Sequence, residues 1–398
     1  MDLLGWFIFL FALLFSVMLH ETGHFVMAKK FGMKVTRYFV GFGPTLWSTW
    51  RGETEYGIKA LPFGGFVKII GMHSLDDVDD PADEPRSFRR QPAWQRIVVL
   101  CAGSFMHLVL AVVLLCGLAL TIGIENVDTT QLGAVSACLA PNGNDFANGT
   151  CGSSHKPSPA KVAGLRVGDT ITSFNGKPVS TWTEFTTAIK NTAPGTAVSL
   201  VVKRDGQTLT LHTTTAHVTG RAGSILGIGT ATVFQVPSPL GALTFTGSFI
   251  GQQLSGSVHA IAALPSALPR LFSKDRTSTP GGQVSSVVGI ANYTGQAVAA
   301  NVGWRNKVEF VIQLVAALNI FVGAFNMLPL LPLDGGHVAA IVIERIRAWF
   351  ARLRGRPDPG LVDMRKLVPV MFSIFMVLVF FSMVVLLADI VNPVNIGQ

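Results

Sequence analysis

The chain has 398 residues, of which 49% are aliphatic, aromatic or cysteine and only 14% are charged. Soluble domains usually contain about 25% charged residues, so this composition argues against a water-soluble globular protein and favours a membrane protein. The formal net charge of +8 does not indicate nucleic-acid binding, because the basic residues border apolar segments and no nucleic-acid-binding motif accompanies them.

Four apolar stretches are long enough to cross a bilayer, since about 20 helical residues span its hydrocarbon core. They are Leu3–Leu19, Ile97–Ile124, Val308–Leu333 and Leu367–Leu387. The first stretch follows Asp2 instead of a basic leader, and no small-residue cleavage site comes after it, so we predict a retained helix and not a signal peptide. The sequence therefore predicts a polytopic α-helical membrane protein with about four transmembrane helices.

The first span runs directly into His20-Glu21-Thr22-Gly23-His24, a His-Glu-x-x-His motif. Residues four apart share one face of a helix, so both imidazoles can bind a single zinc ion, and Glu21 lies within reach of a water molecule that it could deprotonate. The motif recurs by chance, but two histidines and a glutamate at this depth are costly unless they bind a ligand. We therefore predict zinc ligation by His20 and His24, with Glu21 as the catalytic base.

Residues 34–71, which follow this helix, have the composition of a β-sheet. Four short β-like runs are separated by glycine and proline: Tyr38–Val40, Trp47–Trp50, Tyr56–Ala60 and Phe66–Ile70. Of the 31 Lys and Arg residues, 11 lie in residues 29–96 and 7 in residues 345–366, an excess that marks cytoplasmic loops. We therefore expect a β-hairpin sheet against the cytoplasmic membrane face, with both termini and residues 125–307 outside.

The outer segment is predicted to contain a small α+β domain. Ile171–Phe174 reads as a strand closed by the turn Asn175-Gly176, and Thr181-x-x-Glu184 is a capping box that begins a short helix. Val198–Lys203 then pairs with Thr208–His212. Residues 236–306 are rich in serine, glycine and alanine, with weakly amphipathic helical stretches such as Leu240–Leu264, and are expected at the membrane surface.

The four cysteines divide by compartment. Cys101 and Cys116 lie ~22 Å apart along one helix, too far for a disulfide. Cys138 and Cys151 flank an Asn/Gly-rich loop on the outer side, where oxidation is possible. They are either two free thiols or a disulfide, and we favour the disulfide.

Catalytic zinc usually has three protein ligands and one open position, so a third ligand should come from another membrane helix. Asp334 qualifies because it ends the third apolar run, where prolines and glycines break the helix. The alternative is an aspartate that only caps a helix. Asn326 is a candidate for holding substrate, or else packs between helices, and His337 is a weaker candidate for supporting the metal ligands.

Eight short segments of the chain carry a resemblance to a known family: His20–His24, Gly41–Pro44, Thr54–Tyr56, Pro62–Lys68, Ser87-Phe88, Trp94–Arg96, Val288–Ile290 and Asn326–His337. With these segments the chain resembles the site-two proteases, and specifically a bacterial, actinobacterial-like group with one extracytoplasmic PDZ domain. The resemblance covers nearly the whole chain in the right order.

The resemblance implies that His20, His24 and Asp334 hold Zn2+, that Glu21 activates water, and that the residue 34–71 region enters the membrane and guides substrate to the metal. It also implies substrates that are single-span membrane proteins, such as anti-sigma factors after a first cleavage. The expected location is the lipid bilayer of the bacterial inner membrane, with the active site near the cytoplasmic side and the PDZ domain outside.

The chain departs from the family's pattern in its second span. Many relatives carry Asn where this chain has His107, which either hydrogen-bonds near the active site or is a satisfied core histidine. The PDZ assignment rests on Gly164–Asp169 followed by Ile171–Asn175. Its groove either adds an extended chain end as a β-strand or is closed and excludes bulky substrates.

A substrate helix must unwind before its peptide bonds can be cleaved, and an unpaired strand edge can bind the freed backbone groups. We expect the run Phe66–Ile70 or the run Tyr56–Ala60 to pair with substrate, with Gly64 and Gly65 allowing close approach and Asn326 holding the other side. Two alternatives stay open: a membrane-tethered zinc peptidase acting on soluble peptides, and a non-enzymatic scaffold displaying a PDZ domain.

The predicted organisation has eight segments. They are residues 1–28 (first span, zinc motif), 29–96 (cytoplasmic β-loop and linker), 97–124 (second span), 125–220 (PDZ-like domain), 221–307 (helical surface segment), 308–344 (third span, third ligand), 345–366 (basic loop) and 367–388 (fourth span).

Overall fold

The computed structural model describes residues 3–72, 80–126, 128–139, 151, 155–218, 223–267, 271–272, 285–300, 302–331, 333–362 and 367–392. In chain order the elements are α1 (Leu3–Lys30), β1 (Val35–Arg51), β2 (Thr54–Ile69), α2 (Ala93–Thr121), β3 (Ile124–Asn126), β4 (Leu132–Val135), α3 (Pro159–Val162), β5 (Thr170–Phe174), β6 (Lys177–Pro178), α4 (Trp182–Lys190), β7 (Ala197–Arg204), β8 (Gln207–Thr214), β9 (Ile228–Thr230), β10 (Val233–Gln235), α5 (Pro239–Ala267), α6 (Val287–Ala299), α7 (Trp304–Asn326), α8 (Asp334–Leu353) and α9 (Val368–Val391). The chain forms two compact units, residues 1–121 with 238–398, and residues 122–237.

The first unit is built on long apolar helices. Among the described residues, four helices are long and apolar enough to cross a membrane: α1, α2, α7 and α9. The polytopic membrane architecture predicted from the sequence is therefore confirmed at this level. α2 packs against both α1 and α7, and α1 approaches it closely at Gly23, where a Cβ would lie 2.4 Å from the carbonyl oxygen of Ala102.

The strands β1 and β2 bend and form a sheet of four runs, in the order 65–69, 35–40, 54–58 and 45–51. Residues 37–40 pair with residues 65–68 on one side and with residues 55–58 on the other. Residues 54–58 pair in turn with residues 47–51. The chain reverses at Gly41, whose φ of 85° favours glycine and whose Cβ would lie 2.6 Å from the oxygen of Leu61.

An apolar core and a group of ion pairs fix the sheet to the helices. The core contains Ala28, Met33, Val35, Ile69, Phe88, Val99, Leu100 and Ile341. At the hairpin tip, Glu53 accepts two hydrogen bonds from Arg86 at 2.7 and 2.8 Å and one from Lys29 at 2.6 Å. The hydrogen bonds from Arg86 and Lys29 hold the pKa of Glu53 at about 2, so this tether is intact at neutral pH.

The third predicted span and its extension form two helices, separated at the proline- and glycine-rich run where the sequence indicated a break. α7 ends at Asn326 and α8 begins at Asp334. Pro329 cannot donate a helical hydrogen bond, and Gly335 and Gly336 approach the connecting backbone so closely that a Cβ would lie 2.3 and 2.7 Å from it. Because of this break, Asp334 is the first residue of a new helix.

Two further helices complete the first unit. α5 packs on α2 and α7 through Phe245, Phe249 and Ile250, a contact with the membrane helices that the prediction of a surface segment did not include. α6 packs on α1, where a Cβ on Gly5 would lie 2.6 Å from the Cα of Gly295. Small residues on both helices allow this approach.

The second unit is a small α+β unit. Its antiparallel sheet has the order β6-β5-β7-β8, and α4 packs on it through Phe185 and Ile189. The turn at Asn175, with φ of 48°, and the capping box of Thr181 and Glu184 are present as the sequence indicated. Cys138 and Cys151 form a disulfide.

Candidate metal centre and catalytic site

The three predicted ligands meet in the first unit. His20 and His24 lie one turn apart on α1, and Asp334 is the first residue of α8. The two Nε2 atoms are 3.1 Å apart, and Asp334 Oδ2 lies 3.3 Å from that of His20 and 3.5 Å from that of His24. In a tetrahedral zinc site with bonds of about 2.0–2.1 Å, ligand atoms are ~3.3 Å apart. The three atoms therefore have the spacing of three corners of a zinc tetrahedron.

The surroundings of these atoms also fit a cation. Asp334 Oδ2 is buried and accepts no hydrogen bond from any described residue, although a buried carboxylate oxygen without a partner is costly. The His24 ring is fixed from behind, because its Nδ1 lies 2.8 Å from the carbonyl oxygen of Val99. That contact leaves Nε2 free to bind metal, as is usual for zinc-binding histidines. The donor set of two imidazoles and one carboxylate suits Zn2+.

Gly103 on α2 provides the space for both imidazoles. A Cβ at this position would lie 2.5 Å from His24 Nε2 and 2.7 Å from His20 Nε2. No side chain larger than hydrogen fits there without displacing the histidines. No sequence pattern marks Gly103 as part of the site, because the requirement for glycine arises from the packing of α2 on α1.

Glu21 faces the sheet beside the ligands. The backbone amide of Val67 lies near its carboxylate, and a Cβ on Gly65 would lie 3.7 Å from Glu21 Cγ. Thr22 on the next position is 2.8 Å from the hydroxyl of Tyr38. α1 therefore lies along the 65–69 run of the sheet, and Glu21 lies between that run and the predicted metal ligands.

A comparison with protein-family models matches residues 8–356 to Peptidase family M50. This match covers more than half of the chain and includes the helix of His20, the sheet and Asp334. The chain belongs to Peptidase family M50, the site-two proteases.

Similar curated proteins agree with this assignment. The chain is 35% identical to the protein named zinc metalloprotease Rip1 from Mycobacterium tuberculosis, over 98% of both chains, and 35% identical to its namesake from Mycolicibacterium smegmatis, over 99% of both. A putative zinc metalloprotease of Clostridium acetobutylicum is 28% identical over 95% of both chains. This M50 protein is a zinc metalloprotease, and its four candidate spans make it an intramembrane one.

The remaining predicted residues have the following places. Gly65 lies in the run beside Glu21, and Gly64, with φ of 104°, precedes it. Phe66 stacks on Phe39 with ring centroids 5.6 Å apart. Asn326 ends α7, before the connection to Asp334, and His337 lies three residues after Asp334 in α8.

His107 on α2 is a neighbour of the predicted ligand His20, since their ring centroids are 5.0 Å apart. It hydrogen-bonds Ser16 of α1 and Asn319 of α7, two residues that were not predicted to lie near the site. The sequence contains a signal for both. Ser16 is four residues before His20 on the same helix, and Asn319 is a polar residue in an apolar span.

Proposed function

We propose that this M50 protease cleaves single-span membrane proteins within their transmembrane segments, by adding the unwound substrate as a strand to the 65–69 run. The observation that carries the proposal is the position of this run. It pairs with residues 35–40 on one side only among the described residues, and Val67 in this run contacts the catalytic Glu21.

The register favours one of the two runs that the sequence offered for substrate binding. Tyr56, Gly57 and Ile58 pair with residues 38–40 on one side and with residues 47–49 on the other. A strand that is paired on both sides has no hydrogen-bonding edge to offer a substrate. The free edge of the run beginning at Phe66 therefore supports its role as the docking edge, and this run lies beside Glu21.

A transmembrane helix protects its peptide bonds with its own hydrogen bonds. Once a segment unwinds in a medium with little water, its amide and carbonyl groups need new partners. The docking edge offers such partners on one side, and Asn326, at the end of α7, holds the extended segment on the other. Gly64 and Gly65 let the substrate backbone approach the strand.

The chain's own residues share the chemistry. When bound to His20, His24 and Asp334, zinc supplies Lewis-acid catalysis by polarising a carbonyl and making water a better nucleophile. Glu21 takes the proton from the attacking water and returns it to the leaving amine nitrogen. The Val67 amide orients the Glu21 carboxylate for both proton transfers.

The sheet has an apolar surface suited to the membrane. Exposed large side chains lie along its runs and turns: Phe42, Leu46, Trp47, Trp50, Ile58 and Leu61. An apolar patch with tryptophans is typical of surfaces that lie at the membrane interface. The sheet therefore dips into the bilayer on the side where the basic segments 29–96 and 345–366 lie, the cytoplasmic side of a bacterial inner membrane.

This orientation puts the second unit outside the cell membrane. A cysteine at Lys177 should react with a membrane-impermeant maleimide in intact cells, whereas a cysteine at Arg356 should react only after lysis. The reverse pattern would overturn the orientation. Both positions are exposed, so a lack of labelling reflects the membrane and not burial.

The second unit is a PDZ-like domain with a peptide groove. A cavity of about 360 Å³ lies between α4 and residues 224–229, and its lining includes Trp182, Thr186, Ile189, Lys190, Ile228 and Ala134. Such a groove between a helix and a strand accepts an extended chain end by strand addition. It binds the outer end of a substrate such as an anti-sigma factor that a first protease has already shortened.

The test uses the full-length protein in lipid vesicles with a single-span anti-sigma-type substrate shortened on its outer side. We expect a cut within the transmembrane segment, no product with Glu21→Gln, and unchanged zinc content in that variant. Asp358→Asn, which changes an exposed carboxylate, should cleave normally. Cleavage of soluble peptides alone would indicate a tethered peptidase. If Glu21→Gln replaces the wild-type protein fully in cells, the protein acts as a non-enzymatic scaffold.

A further inference from the structure

The two zinc-binding histidines differ in what holds their second ring nitrogen. His24 Nδ1 lies 2.8 Å from the carbonyl oxygen of Val99. His20 Nδ1 is buried and has no hydrogen-bond partner among the residues that the structure describes. A neutral imidazole that presents Nε2 to a metal carries its proton on Nδ1, so His20 has a buried N–H that requires an acceptor.

A buried polar cluster lies next to this N–H. It consists of Ser16 from α1, His107 from α2 and Asn319 from α7, each less than 5% exposed. Asn319 Oδ1 lies 2.5 Å from Ser16 Oγ and 2.8 Å from His107 Nδ1. Three polar side chains from three apolar helices are costly in a membrane span unless they are fully paired or functional.

The hydrogen bonds of this cluster determine which nitrogen of His107 carries the proton. Asn319 Nδ2 donates to the carbonyl oxygen of Val315 at 2.8 Å, which fixes the amide with Oδ1 facing His107. Because Oδ1 can only accept, His107 Nδ1 is the donor. In the neutral ring, His107 Nε2 is then a bare acceptor.

We propose that His107 is a positioning residue for the zinc ligand His20, with His107 Nε2 accepting the hydrogen bond of His20 Nδ1–H. The two ring centroids are 5.0 Å apart, and two imidazoles joined by one N–H···N hydrogen bond have centroids about 5 Å apart. The bond forms when the His20 ring turns onto the metal. Ser16 and Asn319 hold His107 in the tautomer that can accept it. The inference rests on zinc ligation by His20, His24 and Asp334.

Two substitutions of His107 separate this role from packing. A Gln side chain reaches about as far as the Nε2 position of histidine and can accept there, whereas Asn reaches only about as far as Nδ1. If the acceptor at Nε2 matters, His107→Gln retains function and His107→Asn does not. If only the contacts with Ser16 and Asn319 matter, the order is reversed.

The experiment measures zinc affinity of the purified full-length protein by competition with a chelator, together with thermal unfolding. We expect His107→Leu and His107→Asn to weaken zinc binding about 10- to 100-fold, and His107→Gln to stay near wild type. Cys116 lies on α2, like His107, and contacts Thr246 of α5. Cys116→Ala, which removes that contact, should leave zinc affinity unchanged. Wild-type affinity in His107→Leu, or restoration by Asn and not by Gln, would overturn the proposal. Unchanged zinc affinity in Asp334→Ala would instead reject the ligand set on which it rests.

Discussion

Asp334 Oδ2 lies 3.3 Å from His20 Nε2, although the two residues belong to helices at opposite ends of the sequence. The same oxygen is 3.5 Å from His24 Nε2, so one carboxylate oxygen completes the site that the His-Glu-x-x-His motif begins. The break between α7 and α8 is what brings it there.

Replacement of Asp334 should therefore remove metal. Purified wild-type protein is expected to hold about one zinc ion per chain, and Asp334→Ala should lose most of it, because two imidazoles alone bind zinc weakly. Zinc content can be measured by atomic emission on the folded protein. Asp358→Ala, an exposed aspartate after α8, is the control. Equal zinc content in both variants would exclude Asp334 as a ligand.

Substitution of Gly103 should weaken zinc binding as substitution of a ligand does. In Gly103→Ala the new methyl group would lie 2.5 Å from His24 Nε2, so the rings must move apart and zinc affinity should fall at least about tenfold. Gly117→Ala is a matched control on the same helix, since a Cβ there meets nothing within 4 Å. The chelator competition assay compares the two. Normal zinc affinity in Gly103→Ala would show that the ligand cluster tolerates a methyl group.

Single prolines should distinguish the two edges of the sheet. Proline removes one backbone donor, so placed in turn at Phe66, Val67 and Lys68 it should reduce cleavage of a membrane substrate by about tenfold or more at the outward-facing positions. Zinc content should not change. Proline at Trp47, Ser48 and Thr49, in the opposite edge run, should have little effect on cleavage. Equal activity across both sets would argue against strand addition at residues 66–68.

The buried ion pair of the second unit should make its stability depend on pH. Asp169 is 1% exposed and accepts two hydrogen bonds of 2.7 Å from Arg204. Burial raises the pKa of this carboxyl, but the hydrogen bonds from Arg204 and from the Arg166 amide outweigh it and lower the pKa below the ordinary value. The pair therefore stabilises the folded state above the unfolded pKa of about 3.9, and this contribution is lost as the pH falls through the folded pKa.

Removing one partner of the Asp169–Arg204 pair should destabilise the second unit more than removing both charges. Arg204→Met leaves Asp169 buried without its counter-charge and should destabilise the second unit by about 3–5 kcal/mol, whereas Asp169→Asn with Arg204→Met should cost less. Hydrogen exchange of the β5 and β7 amides in the full-length protein measures this. If the double variant is less stable than Arg204→Met, an unpaired buried charge is not the cause of the loss.

The sequence by itself determined those features that depend on neighbours along the chain. The low charge and four apolar stretches require a bilayer, because so much apolar surface has no other favourable environment. The spacing of His20 and His24 puts both imidazoles on one helix face whatever surrounds that helix. The turn at Asn175 and the capping box at Thr181 are likewise local, and they were predicted for the same reason.

Only the tertiary structure decided which distant groups meet. The sequence predicted Asp334 as the third ligand, but its approach to the histidines depends on how α8 packs. The β-like runs were visible, yet which of them forms an edge depends on register, and that depends on the bend at Gly41. The pairing of His107 with Ser16 and Asn319, and the space at Gly103, arise where α1, α2 and α7 touch, and side-chain contacts between helices are set by packing and not by periodicity.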